Sequence, residues 1–183
     1  KIYQNLKKAI RYIISIHIPI IMIVFFPLAL GWMFPNIFTP VHIILMELIM
    51  GPTCSIIYES EPIEKDTMSQ NPRIFSRSFF NSKELIQSII QGLAIGIACL
   101  GLYQYASAVS AEVDFVRTMV FTALMSANIF LTLVNRSFFY SVLTTLKYKN
   151  PLIPFILGLS SMLIIIMIYV PPVSAFFKFT ALN

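Results

Sequence analysis

The sequence is poor in charged residues and in cysteine. Only 11% of its 183 residues are charged and 57% are hydrophobic, whereas a soluble globular domain usually has about 25% charged residues. So few charges cannot cover a water-facing surface, which favours a protein surrounded by lipid. The two cysteines, Cys54 and Cys99, lie far apart and match neither a zinc site nor a disulfide framework.

The start of the chain lacks both an initiator methionine and a signal-peptide pattern. We therefore expect a fragment of a longer protein, with residues 1–183 forming one transmembrane transport domain. The net charge of +5 does not indicate nucleic-acid binding, because the basic residues lie between apolar segments. The expected partner is the lipid bilayer, and no nucleic acid.

Five stretches are long and apolar enough to cross a bilayer, which takes about 20 residues of helix. Continuous helices are expected, because lipid offers the backbone no hydrogen-bond partners. The predicted fold is therefore all-α, a polytopic membrane helix bundle. Its predicted spans cover residues 9–34, 41–58, 85–106, 115–134 and 152–170.

Basic residues are distributed unevenly between the two sides of these spans. All but two of the 13 Lys and Arg residues lie on the side of the N-terminus, and the exceptions are Arg117 and Lys178. Because cytoplasmic connections carry an excess of Lys and Arg, the N-terminus is predicted to be cytoplasmic. The largest connection on that side, residues 59–84, mixes acidic and basic residues. We expect it to be solvated or to pack on a partner domain.

Glu47 is the only acidic residue within a predicted span. A charge at the bilayer centre costs about 2.5–3.5 kcal/mol on insertion scales, so it needs a partner, a water-filled cavity or a proton. We interpret Glu47 as a cation-site or proton-site group; the alternative is a protonated Glu in an interhelical hydrogen bond. Gly51 and Pro52 predict a helix break whose free carbonyls could coordinate a cation, or else a kink without chemistry.

Two further polar residues are secondary candidates for a cation or proton site. His17 could bind a cation, carry a proton or form a hydrogen bond with Glu47, although a single His in an apolar helix more often only packs. Pro19 predicts a second helix break, at the carbonyl of Ser15. Asn128 is the best polar candidate in the fourth span.

The third span contains glycines at a spacing that favours close helix packing. Gly92 and Gly96 form a G-x-x-x-G pattern, which lets two helix backbones approach each other. The fifth span has few polar residues, and we interpret it as scaffold.

Motifs in the first 77 residues carry a family resemblance. The stretch IYQNLKKAIRYIIS at residues 2–15, the pair Glu61-Pro62, DTM at 66–68 and NPR at 71–73 together resemble P-type cation-transporting ATPases of the calcium-pump type. The resemblance implies that the five spans are helices five to nine of ten. It also implies that residues 1–12 form a stalk that transmits movement from a phosphorylation domain.

The resemblance implies a function for the chain within a larger protein. The parent protein would be an ATP-hydrolysing ion translocase that binds ATP and Mg, with its phosphorylated Asp and nucleotide domain upstream. The chain itself would hold no catalytic or cofactor-binding residue and would supply the ion site and the stalk. Its partners would be the transported cation, the upstream cytoplasmic domains and the remaining transmembrane helices. The alternatives are an ATP-independent secondary transporter or channel, and a noncatalytic membrane scaffold.

A narrower resemblance concerns the predicted ion site. His-x-Pro in the first span and E-L-I-x-x-P-x-C-S in the second resemble a bacterial subgroup, which implies a bacterial cell membrane. The residues that stand where calcium pumps have their polar ligands are His17, Ile20, Glu47, Met50, Gly51 and Asn128. Because calcium prefers about six to eight oxygen ligands, this set predicts a weak calcium site.

Overall fold

The protein is an all-helical bundle. The computed structural model describes residues 2–62, 82–137, 150 and 152–182, without the side chains of residues 52–55. Within these ranges the helices are α1 (Ile2–Ala29), α2 (Pro40–Ser60), α3 (Ser82–Val109), α4 (Val113–Val134), α5 (Leu152–Tyr169) and α6 (Pro171–Phe177). Helices α1 to α5 are each long and apolar enough to cross a membrane. The predicted all-α fold with five transmembrane helices is confirmed.

The five long helices alternate in direction. Tyr103, near the end of α3, bonds through its hydroxyl to the amide nitrogen of Phe34, in the connection between α1 and α2, at 2.9 Å. Arg117, near the start of α4, bonds to the carbonyl of Ile37 in the same connection. We call this end of the bundle, where α1 and α2 are joined, the hairpin end, and the opposite end the N-terminal end.

Helix α1 ends earlier than the predicted limit at residue 34. Gly31 has a φ of 62°, in the left-handed region where a side chain would be strained. The amide of Trp32 donates to the carbonyl of Pro27 at 2.9 Å, and that of Gly31 to the carbonyl of Leu28 at 3.4 Å. This pattern is a Schellman motif, which satisfies the last helix carbonyls and stops the helix.

Helices α1 and α3 approach each other closely at two glycines. A Cβ atom added to Gly92 would lie 2.7 Å from the carbonyl oxygen of Ser15 and 2.8 Å from Cβ of Ile18. One added to Gly96 would clash with the sulfur of Met22. The predicted role of the glycine spacing in close helix packing is therefore confirmed.

The predicted helix breaks are not seen in this structure. Helix α1 continues through Pro19, and α2 continues through Gly51 and Pro52. Each proline removes one backbone donor, which leaves the carbonyls of Ser15 and Leu48 without their usual partners. The loss of one hydrogen bond does not unwind either helix, because the neighbouring residues keep their helical conformation.

The segment after α5 folds back onto the hairpin end. Arg117 donates to the carbonyl of Lys178 at 2.9 Å and also contacts Asp114. The amide of Thr180 donates to the hydroxyl of Thr118 at 2.9 Å. Helix α4 thus fixes the segment by a buried arginine and a buried threonine.

His42, in the first turn of α2, connects this segment to the start of the helix. Its Nε2 lies 2.7 Å from the carbonyl oxygen of Phe177, so this nitrogen must donate. Its Nδ1 then accepts from the amide of Thr39 at 3.2 Å, which supplies a partner for a donor at the helix start. The His42 side chain is buried, and both bonds are partly shielded from water.

Substitution of His42 by leucine should lower the free energy of unfolding by about 1–3 kcal/mol, because two partly buried backbone groups lose their hydrogen-bond partner. Thermal unfolding of the protein in detergent would measure the loss. The control is Ser174→Ala, since the side chain of Ser174 makes an exposed, local hydrogen bond to the carbonyl of Pro171; the unfolding temperature of this variant should stay unchanged. Equal effects of the two changes would contradict the role of His42.

Candidate functional site

His17 and Glu47 are in direct contact across the interface of α1 and α2. Nε2 of His17 lies 3.1 Å from Oε1 of Glu47. Both residues lie in the interiors of helices that could span the membrane. The structure therefore brings together two of the three candidate site residues. Contact with Glu47 is one of the roles that the sequence left open for His17.

The hydrogen bonds of His17 define how many protons the pair holds. Nδ1 lies 2.8 Å from the carbonyl oxygen of Ile13, which can only accept, so we assign a proton to Nδ1. A hydrogen bond between Nε2 and the carboxylate then needs one more proton, on either His17 or Glu47. In both arrangements the pair is neutral overall, which lowers the cost of holding it within a bilayer.

The pair lies at an open face of the described bundle. The side chains of His17 and Glu47 are 44% and 45% exposed. Large apolar side chains beside them, Ile21, Ile44 and Leu48, are also exposed. An ionisable pair in a membrane usually faces the bundle interior or a water-filled cavity, so contact of this face with lipid would be unfavourable.

Asn128, the third candidate, is on α4 and contacts α2 one turn beyond Glu47. Its side-chain nitrogen lies 2.8 Å from the sulfur of Met50. The side chain is buried, yet its oxygen Oδ1 has no hydrogen-bond partner in the described part of the chain. A buried amide oxygen without a partner is unfavourable, and its chemistry suits a cation, a water molecule or another donor.

These donors form only a small set of metal ligands. No group of three or more His, Cys, Asp or Glu residues able to hold a metal ion occurs among the described residues. The set consists of one carboxylate, one imidazole and one free amide oxygen. It can exchange a proton and can contribute a few ligands to a cation.

A second polar cluster lies at the N-terminal end and centres on Glu61, which caps the end of α2. Arg136 donates to Oε1 of Glu61 through Nε at 3.0 Å and Nη2 at 2.9 Å. Asn150 donates to Oε2 at 2.9 Å. Asn5 of α1 donates to the backbone carbonyl of Glu61 at 3.0 Å. We call these four residues the Glu61 cluster.

The Glu61 cluster departs from the expected solvated or externally packed connection at 59–84 only at Glu61 itself, because residues 63–81 lie outside the described part of the chain. Glu61 and Arg136 are each only 1% exposed. In the sequence, Arg136 is only one of the basic residues on the side of the N-terminus. The sequence does offer a signal for their pairing, because Glu61 and Arg136 follow two different predicted spans on the same side of the membrane.

The sequence was compared with known proteins. It matches the family described as "Cation transporting ATPase, C-terminus" over residues 35–183. The match covers most of the chain, and the chain belongs to this family. It is thus part of the C-terminal membrane region of a P-type cation-transporting ATPase, as the motifs at residues 2–73 predicted.

The curated relatives are named as calcium-transporting ATPases. Calcium-transporting ATPase 1 of Lactococcus lactis is 30% identical over 165 residues, which is 88% of this chain and 18% of that protein. A calcium-transporting ATPase of Listeria monocytogenes is 28% identical over 74% of this chain and 15% of its own length. One from Bacillus subtilis is 24% identical over 100% of this chain and 20% of its own length. The chain thus spans about a fifth or less of these relatives.

Proposed function

We propose that the chain is the transport domain of an ATP-driven cation pump, in which the His17–Glu47 pair supplies the main charged groups of the ion site. The contact of 3.1 Å between Nε2 and Oε1 within two candidate spans carries the proposal. A cation that displaces the shared proton would gain the Glu47 carboxylate as a ligand. Asn128 would contribute its free amide oxygen.

ATP hydrolysis would take place in other parts of the protein. ATP, Mg²⁺ and a phosphorylated Asp belong, in this proposal, to upstream cytoplasmic domains, and the first turns of α1 serve as the stalk. The family membership favours this function over a secondary transporter, a channel or a passive scaffold. The distribution of Lys and Arg supports a cytoplasmic N-terminus, and the bacterial relatives support a bacterial cell membrane.

Further transmembrane segments of the same protein would cover the open face around the pair. The exposure of His17 and Glu47, at 44% and 45%, supports this arrangement. A neighbouring segment could add the oxygen ligands that the described residues lack. The relatives' names suggest calcium as the transported cation, whereas the single carboxylate would need several additional oxygen ligands for it.

The test is ATPase activity of the full-length protein against a panel of cations, including Ca²⁺, Mn²⁺, Na⁺ and K⁺, at several pH values. In Glu47→Gln the apparent affinity for the stimulating cation should fall about tenfold or more, since even a hydrogen bond to a charged group contributes roughly 1.5–3 kcal/mol. The matched control is Glu112→Gln, because Glu112 is exposed and lies outside the helices. Unchanged stimulation and transport in Glu47→Gln would refute the ion site.

A further inference from the structure

The Glu61 cluster joins four segments of the chain at one buried carboxyl group. Asn5 lies on α1, Glu61 follows α2, Arg136 follows α4 and Asn150 precedes α5. Each of the four residues is less than a tenth exposed. Three hydrogen bonds reach the two carboxylate oxygens and a fourth reaches the backbone carbonyl of Glu61. The segments can separate at this end only if a buried charge loses its partners.

A buried ion pair is a poor means of gaining stability alone. Removing two charges from water is costly, and apolar residues of similar size often stabilise a protein equally well. The arrangement does fix geometry, because the planar guanidinium of Arg136 makes two bonds to Glu61 in one orientation. This favours a role in positioning the segments.

The cluster holds the same two helices that carry the proposed ion site. At 1.5 Å per residue, Asn5 lies about 18 Å along α1 from His17, and Glu61 about 21 Å along α2 from Glu47. Helices α1 and α2 are therefore joined twice, by Asn5 and Glu61 at the N-terminal end and by His17 and Glu47 in the interior. A displacement of the first turns of α1 should therefore also move the end of α2.

We propose that Arg136 is a positioning residue that acts through Glu61. It holds α1, α2, α4 and α5 together at the N-terminal end of the bundle, so that movement of α1 changes the position of Glu47 in α2. This inference rests on the proposed function, since it assigns to Arg136 a part in coupling ATP hydrolysis to ion transport. It concerns the coupling and not the ion site itself.

The experiment measures ions transported per ATP hydrolysed by the full-length protein in sealed vesicles. The test variant is Arg136→Lys, which keeps the positive charge but replaces the two-bond guanidinium by a single ammonium group. We expect cation-stimulated hydrolysis to persist while the ratio of ions to ATP falls at least about twofold. The matched control is Arg117→Lys, since Arg117 is a buried arginine at the hairpin end that also binds backbone carbonyls; its ratio should stay unchanged.

A transport ratio in Arg136→Lys equal to that of the unmodified protein would overturn the proposal, even if the variant unfolds at a lower temperature. An equal fall in both arginine variants would overturn it as well, because general loosening would then explain the loss. If Arg136→Lys does not fold, Asn5→Ala decides the question. It breaks the link to α1 and leaves the Arg136–Glu61 pair intact, and the same fall is expected. Absence of cation-stimulated hydrolysis in the unmodified protein would instead refute the proposed function, and the coupling role with it.

Discussion

Arg136→Met is expected to lower the free energy of unfolding by about 3–5 kcal/mol, because it leaves the Glu61 carboxylate buried without its charged partner. Glu61 is 1% exposed, so water cannot take the place of the guanidinium without rearrangement. Asn150 would still donate to Oε2, but one neutral amide cannot balance a buried charge. Reversible unfolding in mixed micelles with increasing denaturing detergent would measure the change.

The double variant Glu61→Gln with Arg136→Met separates the charge from the packing. Its glutamine can still accept a hydrogen bond from Asn150, and the cluster then contains no charged side chain. We expect it to recover most of the stability that Arg136→Met loses. If the effects of the two single changes simply add in the double variant, the pair does not interact as the structure indicates.

Much of the fold could be predicted because lipid restricts a chain more strongly than water does. Five apolar stretches of suitable length allow little besides five helices, and these helices are present. The ends of the helices depend on local chemistry. The left-handed conformation of Gly31 ends α1 before the apolar run is complete.

The site could be predicted in part. Glu47 is a candidate because a carboxyl group inside a span is costly, and the contact at 3.1 Å is one of the roles that the sequence allows for His17. The Glu61 cluster could not be identified in the same way. Its four residues are polar groups at helix ends, where the sequence alone does not distinguish a buried hydrogen-bonded cluster from a solvated connection.

The effect of the prolines and glycines on the helices depends on what packs beside them. Pro19 leaves the carbonyl of Ser15 without its usual donor, and Gly92 packs against this same carbonyl. The serine side chain is also used, since its hydroxyl lies 3.0 Å from the carbonyl oxygen of Ser88 on α3. Ser15 therefore packs against α3 within a continuous helix, whereas the sequence predicted a helix break.

The close packing of α1 on α3 predicts that glycine-to-alanine changes within α3 differ in their effect on the free energy of unfolding. Gly92→Ala should lower the free energy of unfolding by about 1–3 kcal/mol, because overpacking forces the helices apart. The new methyl group would lie 2.7 Å from a backbone carbonyl oxygen, which cannot rotate away. Gly96→Ala should cost less, since its nearest neighbour is the flexible end of Met22.

Gly101→Ala is the matched control for both changes. It lies on the same helix, and a Cβ added there would meet nothing within 4 Å. Alanine is favoured over glycine by about 1 kcal/mol within a helix, so this variant should be as stable as the unmodified protein or more so. Unfolding in mixed micelles should therefore rank the variants Gly101→Ala, Gly96→Ala and Gly92→Ala in decreasing stability. If Gly92→Ala proves as stable as Gly101→Ala, the close approach of α1 and α3 at Ser15 is wrong.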